Sequence, residues 1–340
     1  MSGQASGAAK ATACANIALA KYWGKADDAL NLPAVPSVSI TLDPLVTETT
    51  VVFDAALDAD GFELDGEPAR AGELKRVTAL LDEVRREAGL DLKARVKSDN
   101  RFPTAAGLAS SASGFAALAG AASAAAGLSP SLEELSARAR RASASAARSI
   151  FGGFVELPAG REGRDDLAAR QLAKPDHWDL RVVVAVTAEG RKPVGSRSAM
   201  GESRHSSMFY DAWVEGTRRL TTEIEDALME RDFARLAPLV EQSFFAMHGV
   251  AMASIPPVLY WQSGSVAALH AVRRLREDEG LSVCATMDAG PHVKAICTAA
   301  DADAVVAGLE ATDGVLRTIV TKPGPGISIE RISVETTEAS

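Results

Sequence analysis

Cysteine is scarce in this chain. Cys14, Cys284 and Cys297 lie far apart, each in an apolar setting, with no CxxC pair and no Cys/His spacing suited to a metal. They read as reduced structural thiols, which excludes a disulfide framework and a zinc module. Basic charge is also short: 36 Lys and Arg against 45 Asp and Glu leave a formal net charge of −9. That balance argues against a nucleic-acid binder held by general electrostatics. No apolar run is long enough to span a membrane, because the Ala-rich stretch is broken by Gly120, Ser123 and Gly127. Met1 to Ala9 is small and polar and lacks the apolar core of a signal peptide, which predicts a cytoplasmic protein.

What is present is ordinary globular material, 47% hydrophobic and 24% charged over 340 residues, enough for one large domain or two lobes. Val46 to Phe53 and Leu92 to Ser98 alternate as half-buried strands. Between them Leu74, Val77, Leu80, Leu81 and Val84 fall at helical spacing. Helices are predicted from Leu108 to Ala126 and from Leu132 to Ala142, the second opened by a Ser131/Glu134 capping box. Arg181 to Thr187 reads as a buried strand. Helical patterns then cover Ser207 to Glu230, Asp232 to Met252 and Ser265 to Glu279. Strands at Ser282 to Met287 and His292 to Cys297 flank a turn; a helix (Ala302 to Glu310), a strand (Val315 to Thr321) and the turn Lys322 to Gly326 follow. The expected architecture is α+β in two lobes, residues 1–190 and 191–340, with the cleft between them as the default site.

Four segments carry chemistry. Pro103-Thr-Ala-Ala-Gly-Leu-Ala-Ser-Ser-Ala-Ser113 combines small residues, a freeing glycine and hydroxyls ahead of an Ala-rich helix whose free amides suit an anion. It is not a Walker loop, since no Gly-Lys-Ser/Thr ends it. Lys21-Tyr-Trp-Gly-Lys25 can project two cations and a phenol into an anion pocket, or equally end a strand with surface lysines. Ser143 and Ser145 with Arg148 can bind a phosphate through hydroxyl and guanidinium donors, or form the polar end of a helix. Asp288, held in the turn Asp288-Ala-Gly-Pro291, is placed for proton abstraction or for orienting a hydroxyl, although such a turn is common.

Together these segments resemble the GHMP kinase superfamily and, within it, the diphosphomevalonate decarboxylases. The resemblance runs through Asn16-Ile-Ala18, Lys21-Tyr-Trp-Gly-Lys25, Asn31-Leu-Pro33, the Pro103 to Ser113 clamp, Arg148-Ser-Ile-Phe-Gly-Gly153, Ser196-Arg197 and Met287-Asp-Ala-Gly-Pro291, nearly the whole chain. It implies a two-lobed GHMP kinase-like fold with a deep cleft, and ATP-dependent decarboxylation of mevalonate diphosphate to isopentenyl diphosphate, ADP, phosphate and CO2. By the same resemblance Asp288 contacts the 3-hydroxyl, Lys21 lies near the reacting centre, and Arg148 is aimed at the carboxylate. Tyr22, Lys25, Ser145, Ser196 and Arg197 grip the distal phosphates. Gly107, Ala109, Ser110, Ser111 and Ser113 hold the phosphates of ATP, with Mg2+ carried mostly by phosphate and water. A homodimer is implied, with no nucleic-acid or membrane partner.

The chain departs from the family pattern in three places. Ala142-Ser-Ala-Ser145 stands where Gly-Ser-Gly-Ser is usual, His292 where Asn follows Asp-Ala-Gly-Pro, and His205-Ser-Ser207 where Asp-Thr-Ser is common after Arg197. The other histidines lack ligand spacing. Alternatives of the same fold are a decarboxylase of the monophosphate and a mevalonate kinase. Asp288, Lys21 and Arg148 argue against a pure kinase, Lys25 and Arg197 favour a diphosphate, and a non-catalytic paralogue is expected to lose Asp288 or the serine clamp.

Overall fold

β1 (Gly7–Ala20) runs into a strap containing the short pair β2 (Lys25–Asp27) and β3 (Leu32–Pro33), and β4 (Ser37–Asp54) returns alongside it. This is a computed structural model, and it describes residues 7–102, 110–161, 163–190 and 194–333. The first half continues with β5 (Gly61–Leu64), β6 (Glu67–Pro68), α1 (Ala71–Ala88), β7 (Lys93–Asn100), α2 (Ser110–Ala125) and α3 (Leu132–Ala142). A 3-10 helix at Ala144–Ile150, β8 (Phe154–Leu157), β9 (Arg170–Ala173) and β10 (Leu180–Val186) follow. The second half holds α4 (Ser196–Ser206), α5 (Tyr210–Glu230), α6 (Phe233–Met252), α7 (Ser263–Glu277), β11 (Val283–Thr286), β12 (Val293–Thr298), α8 (Ala302–Glu310), β13 (Arg317–Pro323) and β14 (Ser328–Ile332).

Among the described residues twelve strands form one sheet with the central order β11-β12-β10-β13-β4-β7-β5-β6; β1 lies on β4 and β14 on β1, and β8 pairs with β4 and β9. The pairings are antiparallel except β5 with β7. β13 joins the two halves through Lys322↔Asp43 and Pro323↔Leu42. The two halves of the chain therefore interleave: β10 hydrogen-bonds β12 and β13, and β14 crosses back to β1 from Ala8↔Ile332 to Thr12↔Ser328.

β7 alternates as expected, with Ala94, Val96 and Ser98 buried and Lys93, Arg95 and Lys97 exposed. β4 begins nine residues before the expected Val46. Its first half, Ser37 to Leu42, is buried throughout between β1 and β8, so no alternation marks it. Helices stand close to their expected bounds, and Ser131 Oγ accepts the Glu134 N–H (3.2 Å) while Glu134 returns to the Ser131 N–H (2.7 Å). α2 is rich in Ala and Gly because it is packed closely: a Cβ on Gly120 would sit 2.6 Å from Ile327. One core lies under α1, α2 and α3 (Phe53, Leu81, Val96), a second under α5 and α6 (Ile17, Ile40, Val182, Ile224, Val240), and a third under α7 and α8 (Val183, Val272, Val293, Leu309).

Candidate active site

The strap after β1 is built to hold its lysines inward. The Lys21 N–H donates to Ser243 Oγ of α6 (2.9 Å), Trp23 Nε1 to Ser203 Oγ of α4 (3.0 Å), and Trp213 Nε1 of α5 to the Trp23 carbonyl (2.9 Å). Gly24 adopts φ 99° against Tyr210, whose hydroxyl would lie 2.2 Å from a Cβ. Three helices thus fix five residues, and neither lysine is on the surface. Lys21 is 1% exposed and Lys25 6%.

Lys21 Nζ donates to the Ala18 carbonyl (2.8 Å) and to Asp288 Oδ1 (2.7 Å). Burial lowers its pKa to about 8, with Asp288 pulling the other way. Burial alone would raise the Asp288 carboxyl, but Lys21, Lys294 and Arg148 outweigh it and hold the group below the usual carboxylate range. The two are an ion pair at neutral pH, and the Asp288 side chain is still 28% open to the cleft.

Arg148, on the 3-10 helix after α3, is buried and cradled. Its Nε donates to Ser39 Oγ (3.0 Å), Nη1 to Ser37 Oγ (2.7 Å) and Nη2 to Asn16 Oδ1 (3.2 Å). Asn16 is itself tied to Ser149 Oγ (2.7 Å) and the Ser145 carbonyl (3.1 Å). Three of five guanidinium hydrogens are used, which leaves donors for a ligand. Burial lowers the Arg148 pKa to about 10, so it stays cationic at neutral pH.

These groups line one cleft of about 360 Å³ together with Tyr22, Lys25, Ser111, Ser145, Ser196 and Arg197. The Tyr22 hydroxyl is buried with no partner among the described residues, and burial raises its pKa. Ser196 opens α4 after Gly195 and is followed at once by Arg197, so the start of the helix and both side chains meet the cleft. Asn31 accepts from Arg197 Nη2 (3.4 Å), and Lys25 meets Asp28 at 3.3 Å.

Arg76 was not among the expected site residues. It lies on α1, lines the same cleft, donates Nη2 to the Ala142 carbonyl (2.8 Å) and stacks 4.2 Å over Phe115. Its Nε has no partner among the described residues. Burial and then Arg197 lower its pKa to about 10. An arginine at the border of an apolar helical stripe is ordinarily solvated, so nothing local marks it. Arg76 also faces a second cavity of about 120 Å³, where Ser110 and Ser111 adjoin Phe62, Val77, Phe115 and Leu118.

Ser113 lies elsewhere. It is fully buried, shares its hydroxyl with Thr47 Oγ1 (2.7 Å) and lines neither cavity, because the fourth residue of α2 points into the core. Gly107 and Ala109 lie outside the described residues. Of the departures, Ser143 and Ser145 both reach the cleft, so the alanines around them leave the hydroxyls in place. His292 is buried, accepts the Thr187 N–H at Nδ1 (3.2 Å) and is held neutral by burial, which lowers its pKa to about 3. His205 is exposed in the last turn of α4. Neither lines the cleft. No cluster of three His, Cys, Asp or Glu side chains suited to a metal occurs among the described residues, and no described helix is long and apolar enough to cross a membrane.

Two family models match: the diphosphomevalonate decarboxylase-like N-terminal domain over residues 13–168, and the mevalonate 5-diphosphate decarboxylase C-terminal domain over residues 182–323. The diphosphomevalonate decarboxylase mvd1 of Aspergillus fumigatus is 37% identical over 325 residues, covering 90% of this chain and 80% of its own. Among solved structures, MDDEF in complex with MVAPP, AMPPCP and magnesium superposes with a TM-score of 0.90 at 39% identity, covering 96% of this chain and 100% of the other. The mevalonate diphosphate decarboxylase from Enterococcus faecalis gives 0.88 at 38% identity, with the same coverage. On the strength of both domain matches and of the cleft they enclose, the chain belongs to the diphosphomevalonate decarboxylase family.

Proposed function

We propose that the chain is an ATP-dependent carboxy-lyase that converts mevalonate 5-diphosphate to isopentenyl diphosphate, ADP, phosphate and CO2 in the mevalonate pathway of isoprenoid biosynthesis. The observation that carries this reading is the division of labour in one cleft. A carboxylate–ammonium pair (Asp288, Lys21) and a cradled guanidinium (Arg148) act on one another as one group, and Lys25, Arg76 and Arg197 act on one another as a second. A substrate with a carboxylate, a hydroxyl and a distal diphosphate matches that grouping of charges.

Arg148 binds the substrate carboxylate. Asp288 accepts a hydrogen bond from the 3-hydroxyl, orients its oxygen toward the γ-phosphorus and takes its proton as the phosphoryl group arrives. Tyr22, Lys25, Ser145, Ser196 and Arg197 hold the diphosphate, joined by Arg76. Loss of phosphate leaves positive charge at carbon 3. The bond from carbon 1 to carbon 2 then breaks, CO2 departs, and its electron pair closes the double bond to carbon 3.

The phosphates of ATP sit at the start of α2, on Ser110 and Ser111 with Gly107 and Ala109, while Ser113 braces the helix from within. The apolar cavity walled by Phe62, Val77 and Phe115 suits the base. Mg2+ supplies charge neutralisation on the phosphates of ATP, bound mostly through phosphate and water. The MDDEF complex contains MVAPP, AMPPCP and magnesium together, which supports the same set of ligands. The reading extends to a cytoplasmic homodimer of two lobes, residues 1–190 and 191–340. Three buried free thiols suit a reducing compartment, and the exposed Met208, Phe209 and Ile255 offer an apolar contact.

Purified protein given ATP, Mg2+ and mevalonate diphosphate releases CO2 and phosphate in equal amounts. A phosphorylated product that accumulates without CO2 marks a kinase, and faster turnover of the monophosphate overturns the choice of substrate.

A further inference from the structure

An ammonium group buried inside a sheet is costly unless another charge answers it. Lys294 on β12 is 2% exposed. It pairs with Thr286 across β11 and with Val184 across β10, so the three side chains share one face of the sheet. The Thr286 hydroxyl on that face donates to the Ala18 carbonyl (3.5 Å), the same oxygen that accepts Lys21 Nζ. Asp288 follows Thr286 by two residues, just past the end of β11, and meets Lys21 there. Lys294 Nζ also donates to the His292 carbonyl (3.3 Å), which closes the turn carrying Asp288. Lys294 does not line the cleft.

We propose that Lys294 is a positioning residue that acts from behind the cleft, holding Asp288 anionic and its turn in place against Lys21; this rests on the decarboxylase reading above. The groups facing the cluster come from every side: Lys21 from just after β1, Arg148 from the 3-10 helix, His248 from α6, His292 from the turn before β12 and Arg317 from β13. Burial lowers the pKa of His248 and of His292 to about 3, so neither histidine supplies charge near neutrality. What remains is one carboxylate among Lys21, Lys294 and Arg148. The positive charge of Lys294 makes the Asp288 carboxyl more acidic and the Lys21 ammonium less basic; burial lowers the pKa of Lys294 itself, and Asp288 works against that by favouring its charged form. The pair is thereby held ready at neutral pH without a second cation touching the substrate.

The test separates this inference from the function itself. Failure of the wild type to release CO2 from mevalonate diphosphate overturns the function, whereas lysine titrations need no turnover and decide the inference. The chain has ten lysines, few enough for a 13C-lysine NMR titration with Lys21 assigned from Lys21→Arg. In Lys294→Met the Lys21 midpoint moves up by roughly one pH unit, and both limbs of the kcat/KM profile move to higher pH. Lys294→Arg returns the limbs to their wild-type positions even where its rate is lower. A folded Lys294→Met protein whose Lys21 midpoint and limbs stay put, with only a lower rate, overturns the inference. If Lys294→Met does not fold, Asp288→Asn reads the same coupling from the other side. Lys294 then titrates at lower pH than in the wild type, and an unchanged midpoint overturns the proposal.

Discussion

Replacing Asp288 by Asn tests the ion pair at the centre of the site through stability as well as rate. Lys21 is 1% exposed, and its ammonium meets Asp288 Oδ1 at 2.7 Å with the Ala18 carbonyl as its other partner. Removing one member of a buried pair typically costs about 3–5 kcal/mol, because the remaining charge is stranded. The lower end, about 3 kcal/mol, is expected here, since the Asp288 side chain opens partly on the cleft. The deficit depends on pH. Asp288 raises the Lys21 pKa, so its loss drops that pKa below the wild-type value of about 8. Between the two values the variant holds Lys21 neutral when folded and protonated when unfolded. The unfolded state then binds more protons, and the variant gains about 1.4 kcal/mol per pH unit while the wild type gains nothing from this group. The gap is therefore widest near pH 6 and closes as pH rises to about 8, above which both folded forms hold Lys21 neutral. Denaturant unfolding of wild type, Asp288→Asn, Lys21→Met and the double variant across pH 6 to 9 measures it. The double variant should be more stable than Asp288→Asn, because no charge is stranded. CO2 release by Asp288→Asn should fall by about 10²- to 10⁴-fold. A deficit that is absent at pH 6, or constant across the range, refutes the pairing argument even if activity is lost.

Arg76→Leu removes a charge-assisted donor worth about 1.5–3 kcal/mol, so KM for mevalonate diphosphate should rise roughly 10- to 100-fold in steady-state assays; a loss confined to kcat contradicts its placement with the diphosphate. Gly24→Ala forces a Cβ to within 2.2 Å of the Tyr210 hydroxyl at φ 99°, and thermal melting should show a loss of more than about 2 kcal/mol together with a higher KM. Ser131→Ala deletes the cap of α3, far from the cleft; unfolding should register about 1 kcal/mol with turnover unchanged.

Elements that announce themselves by period were readable from the chain, and those with other causes were not. α3, with Ser131 and Glu134 at its start, ends at Ala142 as expected. β1 and the first half of β4 give no alternation because both faces are covered, and β14 is a short edge strand placed only by its pairing with β1. The site divides along the same line. Lys21, Arg148 and Asp288 stand in compact motifs, and the fold brings residues 267 positions apart within 2.7 Å. Trp23 stands in a motif too, yet its indole nitrogen anchors α4 at Ser203. Arg76 and Lys294 carry no motif, since each matters only through what α1 or β12 packs against. Ser113 looked like its neighbours Ser110 and Ser111, but a helix turns each residue by about 100°, and that rotation sends its hydroxyl to Thr47.

The charges around the cleft pose a question that the reaction answers. Six cations, Lys21, Lys25, Arg76, Arg148, Arg197 and Lys294, surround or back a site where positive charge must develop at carbon 3. Were they evenly spread, they would oppose that step. They are sorted instead. Lys25, Arg76 and Arg197 act on one another in one group, and Arg148 is held apart from them by Ser37 and Ser39. Lys21 and Lys294 both answer to Asp288, whose carboxylate offsets part of their positive charge. An anion held at that point can accept the hydroxyl proton as the phosphoryl group arrives, provided it is ionised beforehand. On this argument Lys21 and Lys294 do not bind substrate charge; they keep Asp288 ionised, so that it can take the hydroxyl proton when the phosphoryl group arrives.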